Sequence, residues 1–179
     1  MATHTHKTTS MPYRLPTPEI RFTSDSTSLG FLLDTLNSPP EIYPWATRML
    51  GRFPLPSWQR GLCWTIEQKK KFIESVFSGF DLGSVMINSY KYADGNVTVP
   101  LSDILIDGQQ RLDALLSFCN NDFDYCGFFW EDLNRREKRR FLERQIGVHK
   151  TDCFDEILLK KTYNLLNFSG VAHKEGEIA

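Results

Sequence analysis

The run Ile104-Leu105-Ile106-Asp107-Gly108-Gln109-Gln110-Arg111-Leu112 constrains the fold more than any other stretch of this chain. Three aliphatic residues read as the end of a buried strand. Asp-Gly makes a tight corner. From Gln109 to Phe118 apolar residues recur at spacings of three and four, the pattern of an amphipathic helix. The unit is therefore strand–turn–helix, with a glycine at the corner and an arginine in the first helical turn. Helix N-termini hold unpaired N–H groups and the positive end of the macrodipole, so they attract anions. An arginine there adds a planar fork suited to phosphate. The same residues have a plainer reading. Asp107 caps the helix with Gln110 as its capping-box partner, Gly108 only turns the chain, and Arg111 is a solvated charge. In both readings Leu112, Leu115, Leu116 and Phe118 face the core.

The rest of the chain supports one mixed α/β domain, a small mixed sheet surrounded by helices. Its 179 residues suffice for a single core. Residues 1–26 are rich in Thr, Ser, His and Pro and read as a flexible lead-in to a domain spanning 27–179. Leu29 to Leu36 suggests a short helix stopped by Asn37-Ser38-Pro39-Pro40. Tyr43, Trp45 and Phe53 look like anchors of a loop-rich segment. Thr65 and Gln68 have capping-box spacing before the stripe Phe72, Ile73, Val76 and Phe77, which Gly79 ends. Residues 83–90 predict a buried strand and Ala93-Asp94-Gly95-Asn96 a hairpin turn. Val97 to Pro100 and Ile104 to Ile106 would supply the return. A short strand within 123–130, a charged helix over 131–144, a strand over 145–150 and a last helix capped by Asp152 or Asp155 complete the expectation.

Composition removes several function classes. The formal net charge is -1, so the chain as a whole is no polybasic nucleic-acid binder, and any DNA contact needs a local patch. The richest candidate is Arg135 to Arg144, yet Glu137 and Glu143 interleave with it, as on a solvated helix face. The four cysteines form no Cys-x-x-Cys pair, which disfavours zinc and fits free thiols in a reducing cytoplasm. No apolar run approaches the roughly 18 residues that span a membrane, and no secretory signal is visible.

Two further segments carry chemistry. Pro56-Ser57-Trp58-Gln59-Arg60 leads to Gly61-Leu62-Cys63-Trp64, placing an arginine between two tryptophans. Asn167-Phe168-Ser169-Gly170-Val171-Ala172-His173-Lys174 lies near the C-terminus. Pro-x-x-Gln-Arg-x-x-x-Trp, then Asp-Gly-Gln-Gln-Arg, then Asn-x-x-Gly-x-x-His resembles a large bacterial and phage family over about residues 28 to 178. That family has a ParB/sulfiredoxin-like fold. It forms the N-terminal domain of GmrSD-type modification-dependent restriction proteins and related phage-defence proteins.

The resemblance implies a nucleotide or phosphate pocket. Its binding residues would be Gln59, Arg60, Gly108, Gln109, Gln110, Arg111, Asn167 and Lys174. Arg111 would hold a phosphate, with Arg60 as a second clamp; stacking of Arg60 on Trp58 or Trp64 is the structural alternative. Gly108 would permit close backbone approach. Asp107 could cap the helix, hold Mg²⁺ through a phosphate, or position water, and His173 could act as a general base or be a solvated surface group. Asp107 and His173 are the catalytic candidates. The ligand implied is a nucleoside triphosphate, with Mg²⁺ as an option, and no protein-held metal.

In the restriction relatives a separate His-Asn-His nuclease module usually follows, and no such signature is present here. The expectation is thus a domain acting in DNA processing, phage defence or counter-defence, in a bacterial or phage-infected cytoplasm. It would bind nucleotide or DNA phosphate as an NTPase or DNA-nicking unit, with weak, non-specific affinity for duplex. The alternative is a non-catalytic phage or mobile-element protein that docks on a host nuclease or restriction protein.

Overall fold

Four of the five α-helices among the described residues begin where a side chain stands in for a missing backbone partner. The computed structural model describes residue 15 and residues 17–34, 40–93 and 97–168. Strand β1 (Thr23–Ser28) runs into α1 (Leu29–Leu33), where the Ser28 hydroxyl accepts from Phe31 N. Strands β2 (Arg48–Leu50) and β3 (Phe53–Leu55) pair as an antiparallel hairpin. Helix α2 (Ile66–Ser78) carries the expected capping box: Thr65 Oγ1 accepts from Gln68 N, and Gln68 Oε1 accepts from Thr65 N. It ends at Gly79 in the left-handed conformation.

Strand β4 (Ser84–Asn88), strand β5 (Leu105–Asp107) and helix α3 (Gln109–Cys119) follow. Helix α4 (Arg135–Leu142) is shorter than its charge pattern suggests, because Asn134 and Glu137 close a capping box and leave 131–134 as turn. Strand β6 (Gln145–Thr151) leads to α5 (Glu156–Phe168), whose first turn is capped by Asp155 Oδ1 accepting from Ile157 N and Leu158 N.

The four-stranded sheet has the order β1-β6-β4-β5. β1 is antiparallel to β6, β6 parallel to β4, and β4 antiparallel to β5, so the sheet is mixed. Alternation along the strands divides two cores. Leu105, Val85, Ile87, Ile146 and Val148 face the main core, where Leu112, Leu115, Phe118, Ile73, Val76 and Phe141 from α2, α3 and α4 pack. Ile104 and Ile106 face the other side, against Leu159 of α5 and the rings of Phe22, Trp45 and Trp58. Lys69 of α2 ties to α3 at Asp113 Oδ2 (2.7 Å) and Ser117 Oγ (3.0 Å).

Three further expectations change. The polar lead-in does not run to residue 26, because Thr23–Ser28 forms the edge strand. That strand pairs through backbone with residues 145–150 of β6 and shows no apolar alternation to announce it. The return strand shortens to β5, with a lone Tyr92–Thr98 bridge before it; the turn at 94–96 lies outside the described residues. Residues 123–130 hold one Tyr125–Phe128 bridge rather than a strand. Among the described residues no helix is long and apolar enough to cross a membrane.

Candidate functional site

The corner between β5 and α3 is built around Gly108. Its φ is +97°, and a Cβ there would lie 2.7 Å from Val85 Cγ1 and 3.2 Å from Val85 Cα. Both the left-handed backbone and the contact with β4 demand glycine. The close approach served is therefore to Val85, packed against the corner. Gly108 is itself the N-cap, and no side chain caps α3. The capping expected of Asp107, with Gln110 as its partner, does not occur. Asp107 instead turns its carboxylate to Arg111, Oδ2 to Nη2 at 2.9 Å, one helical turn along. With no side-chain cap, the first-turn N–H groups of α3 have no intrahelical acceptor.

Arg111 reaches two elements at once. The Nη2 that holds Asp107 also donates to the Ser84 carbonyl at the start of β4. Its Nε is buried without an acceptor among the described residues. Arg111 is thus a brace between β4, β5 and α3, with Nη1 the guanidinium nitrogen outside these bonds.

The three glutamines of the motifs hold backbone. Gln59 Nε2 donates to the carbonyls of Leu105 and Ile106 of β5. Gln109 Nε2 donates to Arg60 O at 3.1 Å. Gln110 Nε2 donates to Gly61 O at 3.1 Å, and Gln110 Oε1 accepts from Cys63 N at 2.9 Å and Trp64 N at 3.1 Å. All three side chains are buried. Their amide nitrogens face carbonyls of the chain itself, so in this arrangement they position the segment 59–64 and present no donor to an anion. Buried polar groups left without such partners would each cost about 1–3 kcal/mol.

Arg60 is the product of that scaffold. Its backbone is held at both ends, N–H to the Tyr163 hydroxyl (3.2 Å) and C=O to Gln109. Its side chain is exposed, with no ion pair and no aromatic face beneath it among the described residues. The stacking alternative is not what forms: Trp58 packs edge-on to Tyr163 and Trp64 tilts against Phe72. Asn167, in the last turn of α5, donates from Nδ2 to Tyr163 O at 2.9 Å.

These elements enclose a cavity of about 100 Å³, lined by Arg60, Asp107, Gly108, Arg111, Tyr163 and Asn167 among others. Residues from all three motifs, distant in sequence, therefore share one concavity. It has room for a phosphate group and a few waters. Two arginines, the first residues of α3 and one aspartate, which Arg111 already engages, are among the residues that line it. His173 and Lys174 lie outside the described residues. Among the described residues no group of three or more His, Cys, Asp or Glu side chains could hold a metal ion.

A family model for the GmrSD restriction endonuclease N-terminal domain matches residues 46–176. The chain belongs to this family. Comparison with curated proteins found no match, and comparison with solved structures found none. As a GmrSD N-terminal domain the protein is of a restriction-related, phage-defence kind that serves DNA processing.

Two contributors to this GmrSD-type site escaped sequence reading. The Ser84 carbonyl that anchors Arg111 carries no side-chain signal at all. Tyr163, whose hydroxyl fixes Arg60, sits in an apolar helical stripe and reads as core. Its distance of four residues from Asn167, one helical turn, was the available clue.

Proposed function

We propose that this domain binds the phosphates of a nucleoside triphosphate in the Arg60–Arg111 cavity and serves as the nucleotide-responsive unit of a restriction or phage-defence system. The observation that supports this most is the uncapped N-terminus of α3 opening beside the unpaired Arg60. Neutralising two guanidinium groups and orphan amides is what a phosphate does best. Net positive charge in so small a cavity is otherwise a cost, since like charges repel. The ParB/sulfiredoxin-like kinship implied by the motif order belongs to the same reading.

Hydrolysis is the finer part of the proposal. Asp107 is the cavity's carboxylate and would orient water, or hold Mg²⁺ that arrives with the nucleotide. No dedicated metal cage is needed, because Mg²⁺ is commonly held by one or two carboxylates plus substrate phosphates. Isothermal calorimetry with ATP and GTP in Mg²⁺ tests binding, and phosphate release tests turnover. Arg60→Ala is expected to weaken binding about tenfold or more while leaving the thermal midpoint unchanged, since a charge-assisted contact is worth about 1.5–3 kcal/mol. Equal affinity in the wild type and Arg60→Ala would remove the cavity from nucleotide binding.

A further inference from the structure

Residues of the segment 55–64 and of helix α5 line a second cavity as well as the Arg60–Arg111 one. Arg60 and Trp64 join Tyr163 and Asn167 in lining the first. Leu55 to Trp58 join Glu156 in lining the second, of about 260 Å³. Trp58, which lines the second cavity, packs edge-on against Tyr163, which lines the first, with ring centroids 5.3 Å apart. The rise of an α-helix puts Glu156 and Tyr163 about 10 Å apart along the axis. That is the scale separating the base of a nucleoside triphosphate from its outer phosphates.

The second cavity has the chemistry of a base site. Trp45 and Trp58 wall it, with Pro56, Pro100 and Leu101 completing an apolar slot. Trp45 is rigid: its Nε1 donates to Thr98 Oγ1 at 3.0 Å, and its ring packs edge-on to Tyr43. Trp58 Nε1 is buried without an acceptor among the described residues. Polar groups stand at the rim. Glu156 is held through Oε1 by Lys160 at 3.0 Å, which leaves its other oxygen to accept. Its negative charge also repels phosphate from this cavity, while Arg60 and Arg111 attract it to the other. The pair of cavities is therefore polarised.

We infer that the Trp45–Trp58 slot is the nucleobase subsite, taking a base with an exocyclic amine that donates to Glu156, while the phosphates lie at Arg60 and Arg111. The inference rests on the phosphate reading of that cavity and deepens it. Stacking on aromatic side chains is favourable for every base, and the amine-to-carboxylate hydrogen bond adds selection among them.

Calorimetry on the intact chain separates the two halves. The ligands are ATP, ITP (which lacks the amine), inorganic triphosphate and adenosine. The variants are Thr47→Phe, which fills the slot from its exposed rim, and Glu156→Ala. The expected result is ATP at least about tenfold tighter than triphosphate, the span that stacking of one base supplies. Thr47→Phe should erase that advantage without changing triphosphate affinity, which also shows that the variant is folded. ATP should bind tighter than ITP, and Glu156→Ala should level the two. Equal ATP and triphosphate affinities, an undiminished ATP advantage in Thr47→Phe, or equal ATP and ITP affinities in the wild type would overturn the assignment. If triphosphate does not bind, or Arg60→Ala leaves its affinity unchanged, the phosphate reading fails instead. Adenosine then decides the slot alone: quenching of tryptophan emission that Thr47→Phe abolishes supports it, and no quenching overturns it.

Discussion

Arg111 and Asp107 are bound side chain to side chain across one turn, Nη2 to Oδ2 at 2.9 Å, and both line the cavity at the β5–α3 corner. The pair makes Arg111 a brace, and the proposed nucleotide binding asks it to serve as a ligand as well. Asp107 and the Ser84 carbonyl fix Nη2, and Nη1 stays outside these bonds as the nitrogen that an anion would meet in the proposed role. It also sets the charge of the site, because Asp107 opposes an incoming phosphate as much as it steadies Arg111.

Asp107→Asn should therefore separate binding from turnover. Removing the carboxylate lifts a repulsion worth about 1 kcal/mol or more at contact distance. Triphosphate affinity is expected to rise severalfold, while phosphate release falls to background. Calorimetry beside a phosphate-release assay reads both. Weaker binding in this variant would show that Asp107 serves the ligand by orienting Arg111 or, if the loss appears only with Mg²⁺ present, by holding the ion.

Gln110→Ala should weaken nucleotide binding without the side chain touching nucleotide. The substitution strands Cys63 N, Trp64 N and Gly61 O, and frees the segment that carries Arg60. Leaving such groups unmade costs about 1–3 kcal/mol each unless water reaches them. Expected together are a lower urea midpoint, faster amide exchange at Cys63 and Trp64, and reduced affinity. Loss of affinity with exchange at those amides unchanged would mean that Gln110 contacts the ligand itself.

Much of this architecture was readable from sequence where one residue type does a local job. Thr65 with Gln68, Gly79 after a helical stripe, and Asp155 before α5 are such cases, since a cap is decided by its own few atoms. The co-location of Arg60, Arg111 and Asn167 was readable only through the order of three motifs. Local chemistry misassigned Asp107, because an Asp before a helix nearly always suggests a cap. Here Gly108 takes the cap position and the carboxylate finds a guanidinium instead. The glutamines were opaque for a related reason. An amide suits phosphate, base or backbone equally well, and only the fold shows carbonyls of Leu105, Ile106, Arg60 and Gly61 within reach. β1 was missed because an edge strand held by backbone bonds needs no apolar face.

Gly108→Ala is expected to destabilise by about 2–4 kcal/mol, combining a left-handed backbone with overpacking against Val85. Pairing it with Val85→Ala isolates the two contributions. The clash with Val85 Cγ1 is relieved, whereas the φ of +97° and the 3.2 Å approach to Val85 Cα remain. Urea unfolding of the two single variants and the double variant should show a double variant less impaired than the sum of the singles. Strict additivity would place the whole effect of Gly108→Ala in the backbone.

Asp103 should make stability fall as pH rises. Its carboxyl is pushed above the ordinary aspartate value by burial, which the Arg52 charge, the Tyr43 hydroxyl and the Lys150 charge only partly offset. A group whose folded pKa is raised binds its proton more tightly in the native state. Its stabilising contribution is complete below the ordinary value of 3.8 and is lost as pH rises through the folded pKa. Asp103→Asn keeps an acceptor for Tyr43 and tolerates the φ of +54° at this turn. Its thermal midpoint relative to wild type should therefore climb from pH 4 to pH 7. A relative midpoint that falls over that range would mean that Arg52 and Lys150 outweigh burial.

Duplex DNA should bind weakly and with a shallow salt slope, because α4 has fewer free cations than its sequence displays. Arg140 donates to Phe77 O and Arg144 to Phe80 O, at the C-terminal end of α2. Cations there complement that helix's dipole. Arg139 is paired with Glu143 at 2.7 Å, and Lys138 lies over the Trp130 ring at 5.7 Å. Arg135 and Arg136 remain exposed at the start of α4 without ion pairs among the described residues. Each phosphate neutralised contributes about -0.9 to the log–log salt slope, so these two arginines account for a slope of at most about -2. The pocket cations can add little on a rigid duplex, because a cavity of about 100 Å³ does not admit a helix backbone without rearrangement. Mobility shifts at rising salt should give micromolar or weaker binding, with a slope that Arg135→Ala combined with Arg136→Ala brings close to zero. A steep slope that survives this pair of substitutions would place the DNA contact on another face. Stoichiometric retention of a host nuclease in a pull-down, with no nucleotide bound, would favour protein docking over the nucleotide-responsive role.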